Sequence, residues 1–528
     1  MDDTKAIIKR FSALEGQREN WNTHFQELAD YMLPRKADIV RKRSKGEKRM
    51  EQIFDGTALQ AVDLLSASLH GMLTSGATPW FHLAMKDMDI GRDSDVQEWL
   101  EDTSNRMIRA FNQSNFETEI HEMYVDLVVF GTGCMFVEMD EGKLRFSTRH
   151  ISEFHISENQ FGLVDTVFRK YKIPARQAVL RFGYDNVTEY IRKTYDKRPD
   201  DEVTLLHAVM PRDERNFQKE DSANMPFASV YICMESNMPL SVKGFQEFPY
   251  IVPRFLKATG ETMGRSPAMV ALPDVKMLNL MSKTIIQAAQ KQIDPPLLVP
   301  DDGFLLPIRT NPGGLNFFRS GSRDTITPLN VGANIPIGLQ MEEQRRLAIR
   351  SAFYVDQLLS GGNVNMTATE VVQRQEERMR VIGPVLGRLM NEMLRPLIDR
   401  VFALMLRQET LSQPPELLEG RDVDIEYVSP LARAQKSSSL NNTMKALEIL
   451  LPLGESFPVG DHVDPDGLVR HITDALGVPK TVLNSEAQIQ QKREARAAQQ
   501  QQMQERQNDQ EDVYTAAQAA QATRMIQK

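Results

Sequence analysis

The chain has 528 residues, 41% of them hydrophobic and 26% charged, enough for a large core divided among several sub-domains. A net charge of −9 and a pI of about 5.7 argue against a protein that grips nucleic acid over its whole surface. Cys134 and Cys233 form no disulfide framework or metal spacing, so a reducing compartment is expected, and the charged start MDDTKAIIKRFSALEG reads as neither signal peptide nor membrane span.

Leu14, Trp21, Phe25, Leu28, Ala29 and Met32 fall at helical spacing and predict one helix over residues 1–33, stopped by Pro34. The basic run RKADIVRKRSKGEKR (Arg35 to Arg49) follows. It reads either as a contact for DNA or scaffold, or as a flexible solvated loop. Residues 55–76, 95–112 and 116–130 carry three more helical patterns. At Gly131-Thr132-Gly133 the pattern breaks to strands, CMFVEMD and KLRFSTRHI, joined by a turn at Glu141-Gly142. EFHISE, GLVDTVFRKYKI and residues 203–209, 228–234 and 250–256 are further strand segments, with a helix at 175–182.

A helix is predicted over 267–293 and another over 339–359. The intervening 294–338 is dense in proline and glycine, which suggests short strands and turns. After SGGNVNMT the longest pattern of the chain opens, from Thr367 to about Gln408. Val371/Val372, Ile382, Val385/Leu386, Leu389/Met390, Met393/Leu394, Leu397/Ile398, Val401/Phe402 and Leu404/Met405 mark one buried face. Such a rod would be roughly 60 Å long, with Thr367 and Glu370 as a capping box. Pro384 and Pro396 each remove a backbone hydrogen bond and should bend it. A strand at 423–430, helices at 431–451, 465–476 and from 484 onward, and a Gln/Ala-rich tail complete the chain.

Catalytic patterns occur only as near misses. GETMGRS is one residue short of a P-loop and has Arg265 where lysine belongs; His121-Glu122 begins an HExxH that Val125 breaks. His150 and His155, five apart on a strand, point to opposite faces. In DHVDPDG, Thr473 stands where a calcium loop needs its glutamate. No catalytic, cofactor or metal residue is therefore assigned, and the expectation is a non-enzyme without cofactors.

The order helix, β excursion, helix, glycine loop, long kinked helix resembles the portal (head-to-tail connector) proteins of short-tailed double-stranded DNA bacteriophages. MTATEVVQRQEE, FGTGCMFVE, GETMGRSPAMVALPDVKMLN and FDGTALQAVDLLSASLHGMLTSGATPWF each resemble segments of that family, from about residue 10 to about 490. The resemblance implies an α+β, mainly α fold with wing, stem, clip and crown, assembled as a dodecameric ring at one capsid vertex. The wing would be residues 1–266 and 367–430, the stem helices 267–294 and 337–359, the clip 295–336 and the crown 431–500. Residues 501–528 form the tail.

The implied channel passes double-stranded DNA during packaging by terminase, retention and ejection. The implied partners are further copies of the chain, the terminase large subunit, tail adaptor and tail tube proteins, and the major capsid and scaffolding proteins, with no membrane. The subunit would be made in the host bacterial cytoplasm and reside in the virion. Ser360, Gly361, Gly362, Asn363, Val364, Asn365 and Met366 would be the tunnel loop. Lys276, Lys283 and Lys291 share a face of the first stem helix, and Arg345, Arg346 and Arg350 form a similar set on the second. At least one set is expected to face the lumen; solvated exterior charges or salt bridges between subunits are the alternative. A metal-dependent nuclease on a large α+β scaffold is the runner-up function, and a smaller ring-forming tail adaptor the third.

Overall fold

The computed structural model describes residues 4–42, 44, 46–85, 93–212, 214–216, 219, 221–299, 307–311, 315–317, 326–329, 335–356, 382–418, 423–427, 440, 443–448, 464–476 and 488–501. In chain order these form Thr4–Gln17 (α1), Glu19–Met32 (α2), Thr57–Leu73 (α3), Phe81–Met85 (β1), Ser94–Gln113 (α4) and Phe116–Phe130 (α5). Strands Met135–Asp140 (β2), Lys143–Thr148 (β3), Phe154–Glu158 (β4) and Val164–Pro174 (β5) follow, then helices Ala175–Phe182 (α6) and Glu189–Lys197 (α7). Next come Glu202–Pro211 (β6), Phe227–Cys233 (β7), Met238–Phe245 (β8), Tyr250–Ile251 (β9), Leu256–Lys257 (β10) and Gly264–Arg265 (β11). Fold class is mixed helix and strand. The chain divides into two compact units, Met1–Pro79 with Met107–Leu411, and Trp80–Arg106 with Ser412–Lys528.

In the first unit a five-stranded antiparallel sheet, β4-β5-β6-β7-β8, is covered on both faces. Strand alternation sends Phe168, Leu206, Ala208, Val230 and Ile232 to one side, where Ile7 and Phe11 of α1 meet them. Tyr171, Val203, Leu205 and Cys233 point the other way, against Ala175 and Ala178 of α6 and Ile191 of α7. A second sheet, β3-β2-β9, carries the hairpin turn expected at Glu141-Gly142. Both turn residues have positive φ, 48° and 78°, the geometry that matches strand twist in a two-residue hairpin.

The single helix expected over 1–33 is two helices that break at Arg18. Its buried guanidinium donates to the carbonyls of Ile151 and Phe154 and lies 5.7 Å from the ring centroids of Phe25 and Phe154. Four groups drawing one side chain inward offset the lost helical continuity. Beside it, His155 is 5% exposed, edge-on to Phe11 at 5.1 Å, and its Nδ1 has no hydrogen-bond partner. Burial, then Arg18 and Lys170, push its pKa down to about 3. The folded protein thus holds it neutral, whereas the unfolded chain takes up a proton below about pH 6.5. Stability should therefore fall as pH drops from 6.5 towards 3. His155→Phe is expected to flatten part of this slope in denaturant titrations between pH 7 and pH 4; an unchanged slope would count against the assignment.

In the second unit, β1 pairs antiparallel with the strand Val423–Tyr427, Phe81 opposite Tyr427. The first of these strands was not anticipated from sequence. Ser104 accepts from the Leu83 amide at 3.0 Å and donates to the Leu100 carbonyl at 2.7 Å, while Trp99 donates to the Ser412 carbonyl at 2.9 Å. Pro465–Leu476 is helical over the expected span. No helix among the described residues is long and apolar enough to cross a membrane.

Candidate functional site

The candidate site is a helical hairpin. Its first arm, Pro267–Ile293 (α8), starts where expected, with Pro267 at the first position and Ser266 as N-cap. Ser266 Oγ accepts from the Met269 amide at 3.1 Å and donates to the Val129 carbonyl at 2.8 Å, so the cap also fixes α8 to the end of α5. Short strands Leu297–Leu298 (β12) and Thr327–Pro328 (β13) pair in the proline/glycine-rich stretch. The second arm, Ile335–Ala352 (α9), begins before the expected Leu339 and stops earlier. Tyr354, at φ 58°, takes the left-handed conformation that ends a helix. The arms are antiparallel: Arg345 reaches Asp274 at 2.8 Å and Ser282 donates to Glu342 at 2.7 Å.

Polar groups fix the footing of the hairpin. Asn279 accepts from the amides of Phe54 (2.7 Å) and Asp55 (3.2 Å) and donates to the Val275 carbonyl. Arg346 joins Asp55 at 3.0 Å to the buried Glu342 at 3.1 Å. Burial pushes the Asp55 carboxyl up, but the Thr57 hydroxyl and amide and the Arg346 charge together hold it below its usual range. Asp55 therefore stays ionised and keeps the lead-in to α3 attached to both arms.

Two segments far apart in sequence cross at the base of α8. Gly131 caps α5 with φ 75°, and a Cβ there would stand 2.5 Å from the Gly264 carbonyl oxygen. Thr132 Oγ1 accepts from the Gly264 amide at 2.8 Å, and the Phe255 amide donates to Gly131 O at 2.9 Å. Gly131 of FGTGC and Gly264 of GETMGRS thus serve close backbone packing, not a phosphate cradle. Arg265, where a P-loop needs lysine, pairs with Glu261 at 2.7 Å and lies 4.5 Å from the Trp21 ring centroid.

Against this crossing sits Arg254, 1% exposed. It holds Glu392 with both carboxylate oxygens (Nε at 2.9 Å, Nη2 at 2.9 Å), pairs with Glu158, and donates to the carbonyls of Gly162 (2.8 Å) and Thr262 (3.3 Å). Glu392 also receives Arg388 at 2.9 Å, and Lys257 reaches Glu158 at 2.6 Å. This network clamps the long helix to the crossing.

The described part of the long helix covers 382–407, and its buried residues Ile382, Val385, Leu386, Leu389, Met393, Leu394, Leu397, Ile398, Val401, Leu404 and Met405 follow the expected stripe. Pro384 stands in the first described turn. At Pro396 the disturbance takes a specific form, a π turn over Met390–Leu394. Proline cannot donate to the Glu392 carbonyl four residues back, and the preceding amide, Arg395 N, bonds five residues back to Met390 O.

Of the basic residues singled out, Lys276 pairs with Glu27, Arg345 with Asp274, and Arg346 with Asp55, Glu342 and Glu343. Arg350 stands 3.9 Å from Glu343. Lys283 lies 5.5 Å from the Phe54 ring centroid, and Lys291 is exposed with no ion pair among the described residues. The loop 360–366 and the helix start at 367–381 lie outside the described residues. The two ends of the basic run are hydrogen-bonded into the fold. Gln26 Oε1 accepts from the amides of Ile39, Val40 and Arg41, Lys36 pairs with Asp126 (2.7 Å) and Glu122 (2.8 Å), and Arg49 with Asp38. Glu122 of the broken HExxH is thus a structural ion-pair partner. Arg254 and Glu392 were not singled out from sequence, although an arginine within YIVPRFLK and an acid within LMNEML are charges placed in apolar runs.

A hairpin footed on the α3 lead-in and a glycine crossing beneath it therefore account for three of the four segments that carry the resemblance; MTATEVVQRQEE lies outside the described residues. The profile of the family described as "Bacteriophage head to tail connecting protein" matches residues 4–483. The chain belongs to this family. It is 32% identical over 511 residues to a probable portal protein of Bordetella phage BPP-1, spanning 93% of this chain and 91% of that protein. It is 32% identical over 505 residues to the portal protein of Salmonella phage epsilon15, with the same coverage, and 22% identical over 521 residues to that of Escherichia phage T7, spanning 93% and 90%. Among solved structures, the neck of an empty GTA particle computed with C6 symmetry matches with a TM-score of 0.37 and 10% identity, over 81% of this chain and 99% of that one. Membership of the head-to-tail connector family brings a structural portal role in a phage particle.

Proposed function

We propose that this head-to-tail connector assembles as a dodecameric ring at one capsid vertex, around a channel that passes double-stranded DNA. The observation that carries this reading is the bareness of the hairpin. Its footing is buried and hydrogen-bonded, yet Val270 (73% exposed), Leu280 (66%) and Ile293 (85%) on α8, and Ile337 (55%) and Leu339 (50%) on α9, face solvent in the single subunit. Exposed apolar side chains on a well-anchored element call for a covering surface, and neighbouring copies in a closed ring supply one. Negative-stain images of the purified chain test this. Rings with an axial hole are expected, and a strictly monomeric protein at assembly concentrations would sink the proposal.

In this reading the hairpin arms are the stem (267–294 and 337–359), the segment between them is the clip that meets the terminase large subunit and then the tail adaptor, and 360–366 is the tunnel loop. Residues 1–266 with 367–430 form the wing, towards capsid and scaffolding proteins, and 431–500 the crown. Lys283 and Lys291 are the stem cations best placed to touch passing phosphates, because the other four are already engaged with carboxylates of their own chain. A net charge of −9 per subunit disfavours sustained binding of a polyanion, so only isolated, transient contacts suit translocation. Lys283→Gln with Lys291→Gln should leave ring assembly intact and reduce packaged or retained DNA per particle. The same substitution at Lys276 should instead disturb its contact with Glu27. Unchanged packaging in the double variant would remove these lysines from the lumen.

A further inference from the structure

Away from the hairpin, three arginines gather on the α6 face of the five-stranded sheet with too few acceptors. Arg169 stands in register with His207, and His207 with Tyr231, so all three share a cross-strand row. His207 stacks on Tyr231 at 4.0 Å and hydrogen-bonds Tyr250 at 2.9 Å and Ser229 at 3.0 Å; burial, then Arg181, Arg169 and Arg149, push its pKa well down. The Arg169 guanidinium lies 3.9 Å from the Tyr171 ring centroid and spends its Nε on Glu153 at 2.8 Å. Arg181, from the last turn of α6, lies 4.9 Å from the Tyr231 ring centroid and donates to its hydroxyl at 2.8 Å. Arg149, just after β3, lies 5.6 Å from the Phe136 ring centroid and has no carboxylate partner among the described residues.

The donor inventory does not balance. Among the described residues the Glu153 carboxylate pairs directly with Arg169 and acts on Arg149 only at a distance, and Glu138 acts on Arg181 at a distance without a hydrogen bond. Two buried donors that face this group have no partner, Arg149 Nε and the hydroxyl of Tyr171, a residue 7% exposed. Arg149 is depressed by burial and then by repulsion from Arg169, the mark of a cation added to cations. Guanidinium forks offer donors and no acceptor, and the phenol adds an O–H that can donate, a set that suits an oxyanion and not a metal.

We propose that Arg149, Arg169, Arg181 and Tyr171 form a binding site for a small oxyanion of the phosphate class. Arg181 is exposed and marks the open side, whereas Arg149 and Arg169 form the deeper wall. A free phosphate enters whole; a nucleotide enters by its terminal phosphate and leaves its base outside.

Thermal unfolding of the full-length protein is the test, titrated with inorganic phosphate and, separately, with a nucleoside monophosphate, against chloride at matched ionic strength. A saturable rise in Tm is expected with inorganic phosphate. A rise of similar size with the monophosphate assigns the site to phosphate termini, and a rise with inorganic phosphate alone assigns it to the free ion. Arg149→Met and Arg181→Met should each weaken the effect roughly tenfold or more, the loss of one charge-assisted interaction. Arg181→Met alters an exposed side chain and serves as the folding-safe variant. Arg149→Met should in addition match or exceed the wild-type Tm in chloride, because it removes a repelled buried charge. No saturable dependence in the wild-type protein, or a dependence that survives both substitutions, overturns the proposal.

Discussion

Arg254→Met is expected to destabilise the folded subunit by about 3–5 kcal/mol, the range for removing one partner of a buried ion pair. Arg254 is enclosed, with Glu392 gripped by two donors and Glu158 beside it. Without the guanidinium, among the described residues, Glu392 keeps Arg388 and the backbone amide of residue 254, and Glu158 keeps Lys257. The Gly162 and Thr262 carbonyls lose their donor as well. Combining Arg254→Met with Glu392→Leu should recover much of the loss, since a buried pair replaced by apolar groups is often close to neutral. Denaturant titration of the two variants measures the difference. A loss below about 1 kcal/mol for Arg254→Met, the scale of a surface ion pair, would show that the clamp does not hold the long helix.

The second large effect belongs to the glycine crossing. Gly264→Ala would place a methyl group into the Gly131 carbonyl, with Arg254 Cβ only 3.0 Å away on another side. Neither obstacle is the movable end of a side chain, so overpacking should cost about 1–3 kcal/mol. Gly131→Ala meets the Gly264 carbonyl and also carries the left-handed penalty, about 1–2 kcal/mol more. Gly387→Ala, on the exposed side of the long helix with nothing within 4 Å, should instead stabilise by up to about 1 kcal/mol. Comparing soluble yield and Tm of the three variants decides the matter; equal behaviour would mean that the crossing is not a constraint.

Much of the fold was legible because local pattern and tertiary outcome agree. The spans at 116–130, 175–182, 267–293 and 465–476 carry their own caps and stripes, and the structure places helices there. What escaped was decided by partners distant in sequence. Helix α7, EYIRKTYDK, buries only Ile191, so its pattern had little to show. Strand β8 is half exposed along an edge, and β1 is completed by a strand beginning at Val423. The break at Arg18 depends on two carbonyls near Ile151, and the bend at Pro396 was readable only as a bend, not as a π turn. The hairpin was visible as two helices around a proline-rich excursion, yet its anchors, Asn279, Arg346 and Arg254, are single polar residues whose partners sequence spacing does not reveal.

Gly131 and Gly264 touch, so the chain leaves one point and returns to it. Both sheets with α6 and α7 hang between those positions as a lobe whose two ends are tied together. Lengthening a tethered segment costs free energy only with the logarithm of its length. Insertions in the α6–α7 link or between β6 and β7 should leave the hairpin where it is; the Glu158–Gly162 turn, which reaches Arg254, and the Ile151–Phe154 turn, which holds Arg18, are exceptions among the described residues. Such a subunit can vary the lobe between Gly131 and Gly264 while keeping the helical hairpin unchanged.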